Sequence, residues 1–400
     1  MALTQPPSWA TDTNYDAGSD AWNGLPTKRA PSAGEGLKGK IPGEKFRAQV
    51  FNYLLNAISA RISTLIDHVE DTASAFGFTA TDANTDALAE CINARALAIA
   101  LANTEVTTPS FGGASPNAVH IFGTRLIVGF TSGAIYTSDD NGATFTSRTS
   151  NTTKKINAFA DNGTTIVAVC DDREIVTSTD GATWTARTSN AAGATIDIDC
   201  VVWDSTNALF IAAGDIDPTY GYIGTSPDGT TWTKQTAHHS GTAVGFARIA
   251  AGGGKACAIS QGAGTFVSFS TNGTTWGAAV NPSGITTHRD VLHVGGGVFA
   301  ILGTGTSNAL SATTTDGAAF TLGTAAPSSS SGFVTGLVID GALWALGSGY
   351  LYRSFDGLAW MKIAFRDTDA GPLSAYGLGR AWGAAGNADE LVRSFASGAL

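Results

Sequence analysis

Charge is scarce in this chain: Asp, Glu, Lys and Arg together make up only 14% of its 400 residues. Basic residues are the scarcer sign, 23 against 33 acidic, for a net charge of −10. That balance argues against nucleic acid or an anionic membrane surface as the main partner. No apolar run approaches the roughly 20 residues of a membrane-spanning helix, the longest lying near "ARALAIALAN". The opening "MALTQPPSWATDTNYD" lacks the basic segment and apolar core of a secretion signal. These absences predict a soluble protein made in a cytoplasm. The four cysteines, Cys91, Cys170, Cys200 and Cys257, are scattered without a CxxC pair, so buried free thiols are expected and no metal or cofactor is. Glutamate almost vanishes after position 100, where only Glu105, Glu174 and Glu390 remain.

What the chain has instead is glycine, 49 residues of it, among Thr, Ser and Ala. This favours many short strands joined by tight turns. One pattern dominates. "TSTDGATWTART" at 177–188 returns as "TSPDGTTWTKQT", "FSTNGTTWGAAV" and "RSFDGLAWMKIA", with the aromatic at Phe145, Trp184, Trp232, Trp276, Phe320 and Trp360. The spacings of 39 to 48 residues match a four-stranded propeller blade. A second signal precedes each aromatic, an apolar pair followed by a small residue at Gly129, Ala168, Ala212, Ala258, Ala300 and Ala345, with a seventh copy at Gly383. A small side chain there would let neighbouring sheets pack closely near a central axis. The last unit ends before its outermost strand, and "NTEVTTPSF" at 103–111 can supply it and close the ring. The reading is mainly β: a seven-bladed β-propeller over 103–400, with six blades plus a tail as the alternative.

The repeated turn resembles the Asp-box, or BNR, repeat of sialidases and many other propellers. By position the family's acidic residue falls on Asp140, Asp180, Asp228, Asp316 and Asp356, with Asn272 in its place once. Asp accepts backbone N–H bonds across such a turn, Gly181 supplies positive φ, Ser178 adds a bond, and Trp184 covers the turn. A carboxylate that can be an amide is a structural group, so the boxes are read as scaffold. The resemblance also implies what a sialidase would need: three arginines, a Tyr–Glu nucleophile pair and an acid/base Asp. The family's Phe-Arg-Ile-Pro signature is absent, "KFRAQV" at 45–50 being only superficially similar, and the glutamate shortage argues the same way.

Strand parity places the second-to-third-strand turns and the connections between blades on one face. That face gathers "DDRE" (171–174), "GDIDPTYGY" (214–222), "AHHS", "THRD", "FRDTD" (365–369) and "NADE". Its candidate ligand-binding residues are Asp171, Arg173, Asp215, Asp217, Tyr220, Tyr222, His238, His239, Arg289, Arg366 and Asp369. Uneven polar loops on a repetitive scaffold suit recognition. No HExxH, GxSxG or phosphate loop accompanies them, and no catalytic residue is assigned.

Residues 1–40 are rich in Pro, Gly and Ser and are expected to lie extended on a partner, anchored by Trp9, Tyr15 and Trp22. A helical region over 41–102 follows. Phe51, Leu55, Ile58, Ile62, Leu65 and Val69 form a heptad seam that favours three strands or more, a trimer first among them; a short helix packed on the propeller is the alternative. A second helix is expected near 82–102. The opening is similar to the N-termini of bacteriophage tail and other virion-attached proteins. That resemblance implies a non-enzymatic virion protein of the tail, a fibre, spike or tip, held to other virion proteins through residues 1–70. The propeller would display a receptor- or glycan-binding face. A glycan-cleaving tail spike using Asp215 or Asp217, and a cellular assembly scaffold, are the rival readings.

Overall fold

The computed structural model describes residues 111–362 apart from 192–195, 217–220, 236–244, 261–265, 307, 327–331, 340 and 348–349. It adds the backbone of the strands Thr104–Thr107, Met361–Phe365, Ala375–Gly377, Arg380–Ala384 and Leu391–Ser394. The arm, its anchors Trp9, Tyr15 and Trp22, and both expected helices lie outside the described residues. A compact unit spans Ala98–Phe395.

Among the described residues its strands form seven antiparallel sheets, six with four strands and one with three. The second sheet shows the plan, with strands Ile156–Asp161, Ile166–Cys170, Glu174–Ser178 and Thr185–Thr188 in consecutive order. The first strands of successive sheets meet one another, so they line the axis of a propeller. Second strands such as "IVAVC" are buried along their whole length. Neighbouring sheets cover both of their faces, which is why these strands do not alternate polar and apolar.

The small residues sit where sheets approach most closely. Ala168, Ala212, Ala258 and Ala300 are fully buried. A Cβ added at Gly129 would lie 2.6 Å from Cγ2 of Ile156 in the next sheet. The recurring turn packs across the same boundary: a Cβ on Gly181 would meet Ile127 of the previous sheet at 3.0 Å, and one on Gly229 would meet Val167 at 2.7 Å.

Within the turn the polar groups satisfy one another. Asp180 Oδ1 accepts from Ala182 N (2.8 Å) and Thr183 N (2.9 Å), Gly181 N donates to Ser178 Oγ (2.8 Å), and Trp184 Nε1 donates to Gly181 O (3.1 Å). Asp228, Asp316 and Asp356 accept the same pair of N–H bonds, and Asn272 Oδ1 does so from Thr274 and Thr275. The first copy is one residue longer. There Asp140 accepts from Thr144 N at 2.8 Å, and its bonds to Thr144 lower its pKa to about 2.

One sheet is assembled from both ends of the sequence. Thr104–Thr107 pairs antiparallel with Leu391–Ser394, Thr104 opposite Ser394 and Thr107 opposite Leu391, and becomes the outer strand after Ala375–Gly377 and Arg380–Ala384. Downstream of it Phe111 is buried against the rings of Phe130, Tyr136 and Phe145.

Candidate recognition face

The first strands carry a feature the sequence pattern does not announce. In five sheets a β-bulge interrupts the first strand near its start, skipping Asn117, Asn157, Asp199, Arg289 and Val334 in turn. Bulges re-aim side chains, and here they direct one residue per sheet at the axis end nearest the second-to-third-strand turns. Asn117 and Asn157 use theirs to clasp the next sheet, donating to Ile156 O (2.7 Å) and Ile198 O (3.1 Å).

Asp199 occupies the same place and cannot donate such a bond as a carboxylate. Burial, and then the charges of Asp215 and Asp197, raise its pKa to about 7, while Arg248 and Lys155 work the other way. Burial also raises Asp197, to which Asp172 N donates at 3.1 Å. Asp290 is pushed up by burial as well, offset by Arg248. Its oxygens accept from Val291 N (2.9 Å), Thr335 Oγ1 (3.1 Å) and Gly336 N (2.9 Å).

Asp171 and Arg173 lie in a single 3-10 turn, Asp171–Arg173, in which Asp172 (φ 54°) and Arg173 (φ 67°) both adopt left-handed backbone. The turn is tied down by Arg173 N to Ile196 O (2.7 Å) and Asn157 Nδ2 to Asp171 Oδ1 (2.8 Å). The Lys154–Asp172 ion pair (2.5 Å) and Arg173 Nη1 to Ala191 O (3.3 Å) complete it. Asp215 is exposed at the end of the strand Leu209–Ile216, its N–H held by Asp197 O at 2.9 Å.

Tyr222 requires a correction. It is not a loop residue: the strand Gly221–Ser226 already contains it, its ring is fully buried, and its hydroxyl donates to Ser189 O at 2.7 Å. The Gly/Pro-rich "GDIDPTYGY" reads as a loop because turn residues mask the start of the next strand. Arg289 is exposed. Asp217, Tyr220, His238, His239, Arg366 and Asp369 lie outside the described residues.

The structure therefore brings Asp171 and Asp215 together with Asp197 and Asp199 at the junction of the second and third sheets. Arg289 stands two sheets away. Sequence reasoning missed Asp197, Asp199 and Arg248. The signal that could have found them is a polar residue near the start of five successive first strands, Asn117, Asn157, Asp199, Arg248 and Arg289, at intervals of 40 to 49 residues. Among the described residues no three His, Cys, Asp or Glu side chains are grouped to hold a metal ion. Cys170, Cys200 and Cys257 are free and buried, and burial pushes their pKa upward.

No protein-family model and no curated protein matches the chain. Several solved structures do resemble it. YCF48 from Cyanidioschyzon merolae aligns over 73% of this chain and 98% of its own, at 15% identity and a TM-score of 0.52. Virginiamycin B lyase from Staphylococcus aureus aligns over 73% and 98%, at 9% identity and 0.57. The GH74 xyloglucanase from Xanthomonas campestris aligns over 71% and 53%, at 15% identity and 0.50. These likenesses establish the β-propeller fold. They join enzymes with a protein also solved bound to D1 peptide, so shared fold decides no activity.

Proposed function

We propose that the protein is a structural component of a bacteriophage particle, part of its tail. In this reading a seven-bladed propeller presents a recognition face, and residues 1–102 attach and oligomerise it. The observation that carries it is the contrast between the two faces. On one, the recurring turns use their polar groups on themselves, as Asp180, Asp228, Asp316 and Asp356 do. On the other, the turn sequences differ from sheet to sheet, and the adjoining strand ends leave the charged groups Asp215, Arg248 and Arg289 exposed. A uniform back and a varied front suit display, and the phage-like opening supplies the attachment. The similar propeller YCF48 has been solved bound to D1 peptide, which is in keeping with this reading.

Mass spectrometry and immunogold labelling of purified particles test the reading. Gold at the tail is the expected result, and a chain lacking residues 1–45 should fold yet stay out of particles. Absence of the protein from particles overturns the assignment.

One observation favours a second reading, a glycan-cleaving propeller. Asp199, with a pKa of about 7 beside Asp197 and Asp215, is a carboxyl group able to hold or release a proton near neutral pH. Shortening of host polysaccharide by the wild type, and its loss in Asp199→Asn, would establish catalysis in place of binding alone.

A further inference from the structure

Most described basic side chains are engaged by the scaffold. Arg125 pairs with Asp139, Lys154 with Asp172, Arg148 and Arg187 bond to Thr137 and Thr177, and Lys255 donates to Thr315 O. Arg353 lies over Trp344 and Phe355, and Lys362 over Tyr350.

Two arginines stand apart. Arg289, the extra residue of its bulge, is exposed and makes no hydrogen bond or ion pair among the described residues. Arg248, exposed at the start of the neighbouring first strand, bonds only to its own backbone neighbour, Ala247 O, at 2.8 Å. The two strands, Arg248–Gly252 and Thr287–Gly295, are in contact.

The nearby carboxylates do not neutralise this pair. Asp290 spends its oxygens on Val291, Thr335 and Gly336, and neither it nor Asp199 forms an ion pair with Arg248. At Asp199 negative charge is further muted, because burial raises its pKa to about 7. Beside the arginines Val334, skipped by the next bulge, is 57% exposed and offers an apolar surface.

We propose that Arg248 and Arg289 form an oxyanion-binding subsite at the mouth of the central axis, which grips the acidic group of a cell-surface glycan. A guanidinium presents paired N–H donors that match carboxylate or phosphate oxygens. The proposal rests on the recognition reading above and names the ligand class. A sugar carboxylate and a glycan phosphate share the oxyanion chemistry.

The test is titration calorimetry of the full-length protein with three probes: oligogalacturonate, a glycerol-phosphate oligomer and a neutral malto-oligosaccharide. Expected is binding of one anionic probe, weakening as salt rises and falling at least about tenfold in both Arg248→Gln and Arg289→Gln. Arg248→Lys should retain part of it. Which anionic probe binds distinguishes carboxylate from phosphate. Melting temperatures equal to wild type show that the variants fold. Equal binding of neutral and anionic probes, no binding of either anionic probe, or indifference to both Gln substitutions overturns the subsite. If the protein is nevertheless found at the tail of particles, the virion reading stands and this inference alone falls.

Discussion

Three polar residues at equivalent bulges, Asn117, Asn157 and Asp199, differ by one atom type in their side chains, and that difference has measurable consequences. The two amides clasp the carbonyl of the next sheet, whereas Asp199 makes no such bond. Because its folded pKa of about 7 lies above the ordinary carboxylate value, the native state binds the proton more tightly than the unfolded chain. Stability is therefore lost as pH rises from about 4 through 7. Asp199→Asn should gain on the order of 4 kcal/mol at pH 8 and almost nothing at pH 4; urea melts at the two pH values measure this. His288 acts with the opposite sign. It is fully buried where other first strands carry Ile156, Ile198 or Phe333, and burial lowers its pKa to about 4. Its contribution is intact above pH 6.5 and lost as pH falls towards 4, so His288→Leu should recover ~3 kcal/mol at pH 4. A variant as acid-sensitive as wild type would show that His288 is not the group. Glycine at the recurring turn faces two constraints at once. Gly317 has φ +70° and a Cβ there would lie 2.2 Å from Phe269 Cβ, whereas Gly163, at φ +86°, has open space around it. Gly163→Ala should cost about 1 kcal/mol and Gly317→Ala about 3, from strain plus overpacking. Equal costs in urea melts would remove the packing argument.

At the scale of elements, sheets are fastened to their neighbours by repeated devices. Asn151 donates to Trp184 O at 2.6 Å, and Asn190 makes the same bond to Trp232 O. Both follow "RTS" and adopt positive φ, 56° and 59°. Asn190→Ala should lose about 1–2 kcal/mol through the missing amide and the strained backbone. Asn190→Gly relieves the second cost, so the difference between the two variants in thermal melts isolates it. The Ser-x-Asp-Gly-x-x-Trp turn was legible in the sequence because it closes its hydrogen bonds within a few residues, whereas Asn151 and Asn190 bond to carbonyls of the next sheet, dozens of residues away. Small residues in the second strands were legible because one recurs in each period. The polar ring at the axis was not. Asp199 and Arg248 acquire meaning only when distant strands converge, and no local pattern encodes a bulge that separates Arg289 from its partner strand. Tyr222 failed in the other direction, its burial set by the Ser189 carbonyl of a preceding connection and not by the Gly and Pro around it.

For the molecule as a whole the decisive contact is the least local one. Most sheets receive the outer strand from a tight turn, but Leu391–Ser394 receives Thr104–Thr107 from the opposite end of the described chain. Without it that sheet would present an open edge, the feature that invites association with other chains. The register makes closure testable without removing anything. Glu105 lies opposite Arg393, and antiparallel partners bring Cα atoms to about 4.5–5.5 Å, within disulfide reach. Glu105→Cys with Arg393→Cys should therefore cross-link under mild oxidation, while Glu105→Cys with Leu391→Cys, two positions out of register, should not. The native thiols Cys170, Cys200 and Cys257 are buried and should not compete, and Cys91→Ser is included in both variants to remove the fourth. Since the bridge joins the two ends of the propeller, it closes a very long loop and should raise stability by up to ~5 kcal/mol, reversed by reductant. Cross-linking of both pairs alike, or of neither, would mean that the ring is not closed in this register. Selective cross-linking would show that the strand Thr104–Thr107 completes the last sheet and so closes the ring.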